Sequence, residues 1–303
     1  MGLDIYVGTL TRYYKHNWKT VVQKMAERLG IECKIVRAYE EMDVTVDRVL
    51  SDTKKWEELL LKSIIKDGEP LPPWTEDYDT TPYYTDKPDW DAIGALMMYI
   101  AYNTYKQPLP KMVSKNHDFF DDELVKKSID DKEKVFSLIQ GGGWWVPLDD
   151  PFMFRFPLMN GREIPFGTSG LLKRELEIIN SMEWNATEEE IIQWAKTEGY
   201  PTDITVQSNK VENNDKDDNP NSNHDNNSHS NETSNDNVIK KNHDENGNSH
   251  NENNCKDNPK WNMVNKTIHK EYDTVSLAKF AFSIMWQAAN FSLKHRVPII
   301  YDS

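Results

Sequence analysis

The chain has 303 residues, 28% of them charged, and a formal net charge of −14 at pH 7, a balance that argues against binding a nucleic-acid backbone, which wants a basic face. Its two cysteines, Cys33 and Cys255, supply neither a disulfide framework nor a C-x-x-C metal knuckle. No apolar run approaches the roughly 18 residues of a membrane span, and the opening residues lack the basic start and long apolar centre of a secretory signal. The expectation is a soluble cytoplasmic protein with no membrane segment and no nucleic-acid partner.

In chain order, Leu3, Ile5 and Val7 alternate with Asp4, Tyr6 and Gly8, which predicts a strand with one buried face. The run TRYYKHNW at 11–18 reads as a loop. Asn17 is then expected to cap a helix carrying Val21, Val22, Met25, Ala26 and Leu29, with Gly30 as its left-handed stop. IECKIVRAY at 31–39 is strand-like. Helices are expected over 51–66, with Trp56, Leu59, Leu60 and Ile64 on one stripe, and over 89–105, apolar nearly all round as a buried helix would be.

Further on, Gly141, Gly142 and Gly143 read as a helix terminator feeding an aromatic strand at Trp144 and Trp145. Residues 152–166, FMFRFPLMNGREIPF, predict a hairpin whose Asn160-Gly161 pair suits a two-residue turn with positive φ at both positions. Thr187 and Glu190 form a capping box for a helix ending at Gly199. Thr274 is expected to cap a last helix through Phe291, and Val297, Ile299 and Ile300 suggest a closing strand.

Residues 208–258 stand apart. They hold no Phe, Tyr or Trp and carry 5 Lys against 11 Asp and Glu. Such a segment buries too little apolar surface to offset an ordering entropy of roughly 1–2 kcal/mol per residue, and it reads as a disordered insert. The expected architecture is therefore α+β: one mixed domain with N- and C-terminal strands, several helices and a β-hairpin. Its main part is 1–207, the insert 208–258 interrupts it, and 259–303 completes it.

Three stretches carry candidate chemistry. In the 11–18 run, Arg12 offers a guanidinium fork for a carboxylate or phosphate and His16 titrates near neutral pH; the competing reading is a solvated edge. At the expected strand-to-helix junction, Gly167, Thr168, Ser169 and Gly170 offer backbone N–H groups to an anion, although an ordinary N-cap at Thr168 or Ser169 explains the same residues. No P-loop is present. The third stretch, PPWTEDYDTTPYYTDKPDW at 72–90, interleaves Trp74, Tyr78, Tyr83, Tyr84 and Trp90 with Glu76, Asp77, Asp79, Asp86 and Asp89. Rings attract cations and carboxylates pair with Lys or Arg, so this stretch suits a basic protein partner; its competing reading is a long loop pinned to its own core by the rings.

Hydrolase, metalloprotease and kinase signatures are missing, so no cofactor or metal is expected and catalysis is left open. The opening MGLDIYVGTLTRYY resembles the start of uncharacterised bacterial proteins, some carried by phages, that begin with a Met-Gly-Leu-Asp strand; the resemblance brings no particular activity with it. The closing WQAANFSLKHRVPIIYDS is similar in pattern to the terminal helix and strand of small bacterial toxin-immunity or interaction modules, which implies a non-catalytic interaction role. Two readings result. One is a binding module that meets a basic partner through 72–90, and the other is an enzyme or small-anion binder in which Arg12, His16 and residues 167–170 converge on a phosphate or carboxylate.

Overall fold

The computed structural model describes residues 2–33, 45–65, 68–69, 71–201 and 271–302. The opening alternation forms β1 (Asp4–Val7), but both of its faces are covered, which corrects the expectation of a single buried face. Ile5 and Val7 pack into one apolar cluster and Tyr6 into another. Tyr6 is tolerated there because its hydroxyl donates to Thr9 O at 2.9 Å.

The run expected to be a loop winds into a short helix, α1 (Leu10–Tyr14), capped by Thr9. The chain reverses at His16, whose φ is 53°. Helix α2 (Val21–Arg28) starts from Thr20, not Asn17, because Thr20 and Gln23 exchange both bonds of a capping box. The strand-like stretch at 31–39 falls mostly outside the described residues, as does the 208–258 insert.

Helix α3 (Val46–Ser63) begins at the Thr45 cap, and β2 (Tyr84–Asp86) leads into α4 (Asp89–Thr104), which is buried continuously from Ala92 to Ala101. Then come β3 (Met112–Ser114), α5 (Glu123–Asp130), the single turn α6 (Ser137–Gln140) and β4 (Trp144–Val146). The hairpin forms from β5 (Met153–Pro157) and β6 (Glu163–Thr168), with Pro157 opposite Glu163. Its turn is longer than expected: Leu158 N–H donates to Arg162 O, and of Asn160 and Gly161 only Gly161 has positive φ. Helix α7 (Ser169–Met182) follows, then α8 (Glu188–Thr197) with the Thr187 and Glu190 box in place. After β7 (Glu271–Asp273), helix α9 (Thr274–His295) is capped by Asp273 rather than Thr274, since Asp273 Oδ1 accepts Ser276 N–H at 2.8 Å. The last strand is β8 (Ile299–Asp302).

Six strands form one mixed sheet in the order β2-β1-β8-β4-β6-β5, and β3 pairs with β7 separately. Among the described residues only β4 and β6 pair in parallel. Strand alternation sorts the side chains onto two faces. Ile5, Val7, Trp145 and Ile299 join α4, α7 and α9, whereas Tyr6, Trp144, Val146, Phe166 and Ile300 join Leu10 of α1, Trp56 and Leu60 of α3, and Trp74. The result is an α+β fold with the sheet covered on both sides. Among the described residues no helix is long and apolar enough to cross a membrane.

Gly170, in the first turn of α7, shows how tight one edge of this packing is. A Cβ there would lie 1.8 Å from the backbone oxygen of Asp149, and the Gly170 N–H donates to Leu148 O at 2.9 Å. Relief requires backbone movement, so Gly170→Ala is expected to cost about 3 kcal/mol. In a thermal melt that is a drop of about 6–12 °C for a domain of this size; an unchanged midpoint would show that the neighbouring segment yields freely.

Candidate functional site

A five-residue helix is too short to persist alone, and α1 is held by a carboxylate 65 positions further along the chain. Glu76 accepts Leu10 N–H at 3.0 Å, Thr11 N–H at 2.8 Å and the Thr11 hydroxyl at 2.8 Å. Trp74 Nε1 donates to the same carboxylate at 3.2 Å. Burial pushes the Glu76 carboxyl up from its ordinary range, and these four bonds oppose that rise. Trp74 reaches deeper still: its backbone N–H donates to Glu57 Oε1 at 2.6 Å and its ring meets Trp56 edge-on at 6.3 Å. The loop from Leu71 to Tyr83 is thereby fastened from beneath to both α1 and α3.

Arg12 fastens it from the side. Its Nη1 donates to Thr81 O at 2.6 Å, its Nη2 donates to Tyr78 O, and its Cζ lies 5.0 Å from the centre of the Tyr83 ring. Within the turn, Asp77 accepts the Thr80 hydroxyl at 2.5 Å and the Thr80 N–H at 3.4 Å, which holds its carboxyl below the usual range. Asp77 and Asp79 are exposed at the tip. Between this turn and the α1–α2 corner runs a cleft of about 440 Å³ lined by Arg12, His16, Lys19, Gln23, Tyr78 and Tyr83. Tyr6 packs behind it against Trp18 at 4.8 Å and Tyr13 at 5.3 Å.

The structure thus gathers Arg12 and His16 with Tyr78 and Tyr83, residues that the sequence assigns to two different candidates. It leaves Gly167, Thr168, Ser169 and Gly170 elsewhere. Val7, Ile299, Trp145 and Gly167 are aligned across the sheet, so the ends of β1 and β6 are three strand spacings, about 14 Å, apart. Helices α1 and α7 also pack on opposite faces. At the start of α7, Thr168 accepts Leu171 N–H at 3.1 Å and Ser169 Oγ lies 2.6 Å from Ser292 Oγ, both residues being fully buried. Thr168 is an N-cap. The two halves of the anion candidate therefore do not meet, and two of the Arg12 donors are already committed to carbonyls.

The aromatic candidates divide as well. Trp74 is buried and Tyr84 is half-buried in β2, its hydroxyl donating to Asp86 at 2.9 Å. Trp90 is 37% exposed and lines a different pocket, with Asp89, Asp91 and His117. Sequence reasoning missed Glu57 altogether. The available signal was its place on α3, one turn from Thr53 and from Leu60 and Leu61, all of them buried: a carboxylate within an apolar stripe.

Comparison of the chain with protein-family models, with curated proteins and with solved structures yields no match.

Proposed function

We propose that the protein is a cytosolic, non-catalytic binding module whose 77–81 turn meets a basic protein partner. The observation that carries this reading is how the turn is held. Arg12 clamps the Tyr78 and Thr81 carbonyls, Glu76 and Glu57 anchor the strand of chain just before it, and Asp77 and Asp79 are left exposed. A loop already fixed in one geometry gives up little conformational entropy on binding. Its two carboxylates beside Tyr78 and Tyr83 match Lys and Arg on a partner in charge and in aromatic contact. The net charge of −14 adds long-range attraction for such a partner.

A Lys/Arg-rich peptide is the probe. It is expected to bind more tightly than a neutral peptide of equal length and to weaken as salt rises from 50 to 300 mM, by about tenfold or more. Replacing Asp77 and Asp79 together by Asn keeps an acceptor for Thr80 and is expected to weaken binding by about tenfold, the equivalent of two exposed charge contacts. Equal affinity for the neutral peptide, or full affinity in the double variant, would overturn the reading.

A further inference from the structure

Behind the anchoring point of the same loop lies a second cavity of about 430 Å³, walled by Leu61, Leu71, Pro73 and Trp74 and lined as well by Lys54, Glu58 and Lys62. Its size is that of a small-molecule pocket. Glu57 also lines it, although only 4% of the residue is exposed. Trp74 N–H occupies Glu57 Oε1 at 2.6 Å, and among the described residues Oε2 has no hydrogen-bond partner. Nearby cations are engaged elsewhere or stand off: Lys62 pairs with Glu58 at 2.8 Å, Arg296 donates to Pro72 O and Pro73 O, and Lys54 lies on the lining without an ion pair to Glu57 among the described residues. A largely buried carboxylate held by a single hydrogen bond is under-satisfied. A ligand bringing a charged donor and an apolar stem would remove that cost.

We propose that this pocket binds an aliphatic primary amine, its ammonium on Glu57 Oε2 and its alkyl chain against Leu61, Leu71, Pro73 and Trp74. The site goes beyond the reading of the exposed turn and does not depend on Asp77 or Asp79. Two features of the ligand follow from the walls: one cation, because one Glu57 oxygen is open while Glu58 is paired with Lys62, and an apolar stem, because Leu61, Leu71, Pro73 and Trp74 offer it apolar contact.

Burial raises the Glu57 carboxyl to about 7, opposed by the Trp74 N–H; the Glu76 charge adds to the rise, while Lys54 and Arg296 oppose it. The ionised fraction of Glu57 therefore grows about tenfold between pH 6 and pH 8, while an alkylamine stays charged throughout. Titration of the full chain with hexylamine, hexanol and hexanoate separates the possibilities. At pH 8 hexylamine is expected to bind about tenfold or more tightly than hexanol, and its affinity to fall about tenfold at pH 6 while that of hexanol stays flat. Glu57→Gln keeps an acceptor for Trp74 and is expected to bring hexylamine down to the level of hexanol. If that variant does not fold, the pH profile of the unaltered chain still decides. Equal binding of hexylamine and hexanol, tightest binding of hexanoate, or a flat hexylamine profile would overturn the proposal. The Asp77 and Asp79 double variant is expected to bind hexylamine normally, so failure here is distinguishable from failure of the turn.

Discussion

Glu76→Ala is expected to lower the melting midpoint by about 6–12 °C, the equivalent of about 3 kcal/mol for a domain of this size. The substitution strands four donors: Leu10 N–H, Thr11 N–H, the Thr11 hydroxyl and the Trp74 indole. Each buried donor left without an acceptor costs about 1–3 kcal/mol. Two effects reduce the sum. The Thr11 hydroxyl lies 3.1 Å from Thr53 Oγ1 and has a second partner there, and removing a buried charge relieves the desolvation that pushes the Glu76 carboxyl up. What sets this variant apart from a generic core lesion is location. Amide exchange is expected to accelerate in α1 and in the 77–81 turn, which Arg12 ties to α1, before it accelerates in α4 or α9. Uniform acceleration across the chain would show that Glu76 is only one more core contact.

The second large effect concerns pH. Glu175 is 2% exposed and accepts the Ser137 N–H at 2.5 Å and the Ser137 hydroxyl at 2.7 Å; Ser137 Oγ in turn accepts Trp145 Nε1 at 2.8 Å. Burial raises its carboxyl to about 7 in spite of those bonds. Between the ordinary carboxylate value and about 7 the native chain holds a proton that the unfolded chain has released. Stability from this group is therefore full below the unfolded value and is lost as pH rises through about 7. The slope is at most about 1.4 kcal/mol per pH unit and the total no more than about 3 kcal/mol. Glu57 acts in the same direction. Melting midpoints are expected to fall from pH 5.5 to pH 8, and Glu175→Gln, which cannot titrate, is expected to flatten much of that fall. An identical pH slope in the variant would remove Glu175 as its source.

The elements that short-range patterns predict are those whose causes are local. The alternation in β1, the all-round apolar run of α4 and the Thr187 and Glu190 box each depend on residues a few positions apart. Where cause and effect lie far apart in the chain, the same patterns mislead. Helix α1 has a local cap in Thr9, but its first two amides are also held by Glu76 from 66 and 65 positions away, and that support is not visible in TRYYKHNW itself. The pairing of Met112 with Asp273 and Val113 with Tyr272 joins segments with no periodic signal of their own. Asn17 and Thr274 are both acceptable capping residues, and only the side-chain geometry of Thr20 and Asp273 shows which residue serves.

The candidate site was legible in part for the same reason. Aromatic and acidic residues at 72–90 signal a specialised loop, yet nothing in their order tells that Trp74 and Glu76 turn inward while Asp77 and Asp79 turn outward. That division arises from α1 and α3 packing beneath the loop. The merging of Arg12 and His16 with Tyr78 and Tyr83 into one cleft is likewise a product of β2 lying beside β1. The buried carboxylates Glu57 and Glu175 were not read from the sequence, although each lies on an apolar stripe, beside Leu60 on α3 and between Leu172 and Leu176 on α7.

A Lys/Arg-rich peptide titrated onto the full chain and followed residue by residue by NMR locates the surface it meets. Shifts are expected to concentrate at the amides of residues 77–81 and at Tyr83, and because the turn is already ordered those amides are expected to show the same line widths before and after the peptide is added. Shifts centred elsewhere, or a turn that is mobile until the peptide is added, would rule out the 77–81 turn as a pre-ordered binding surface.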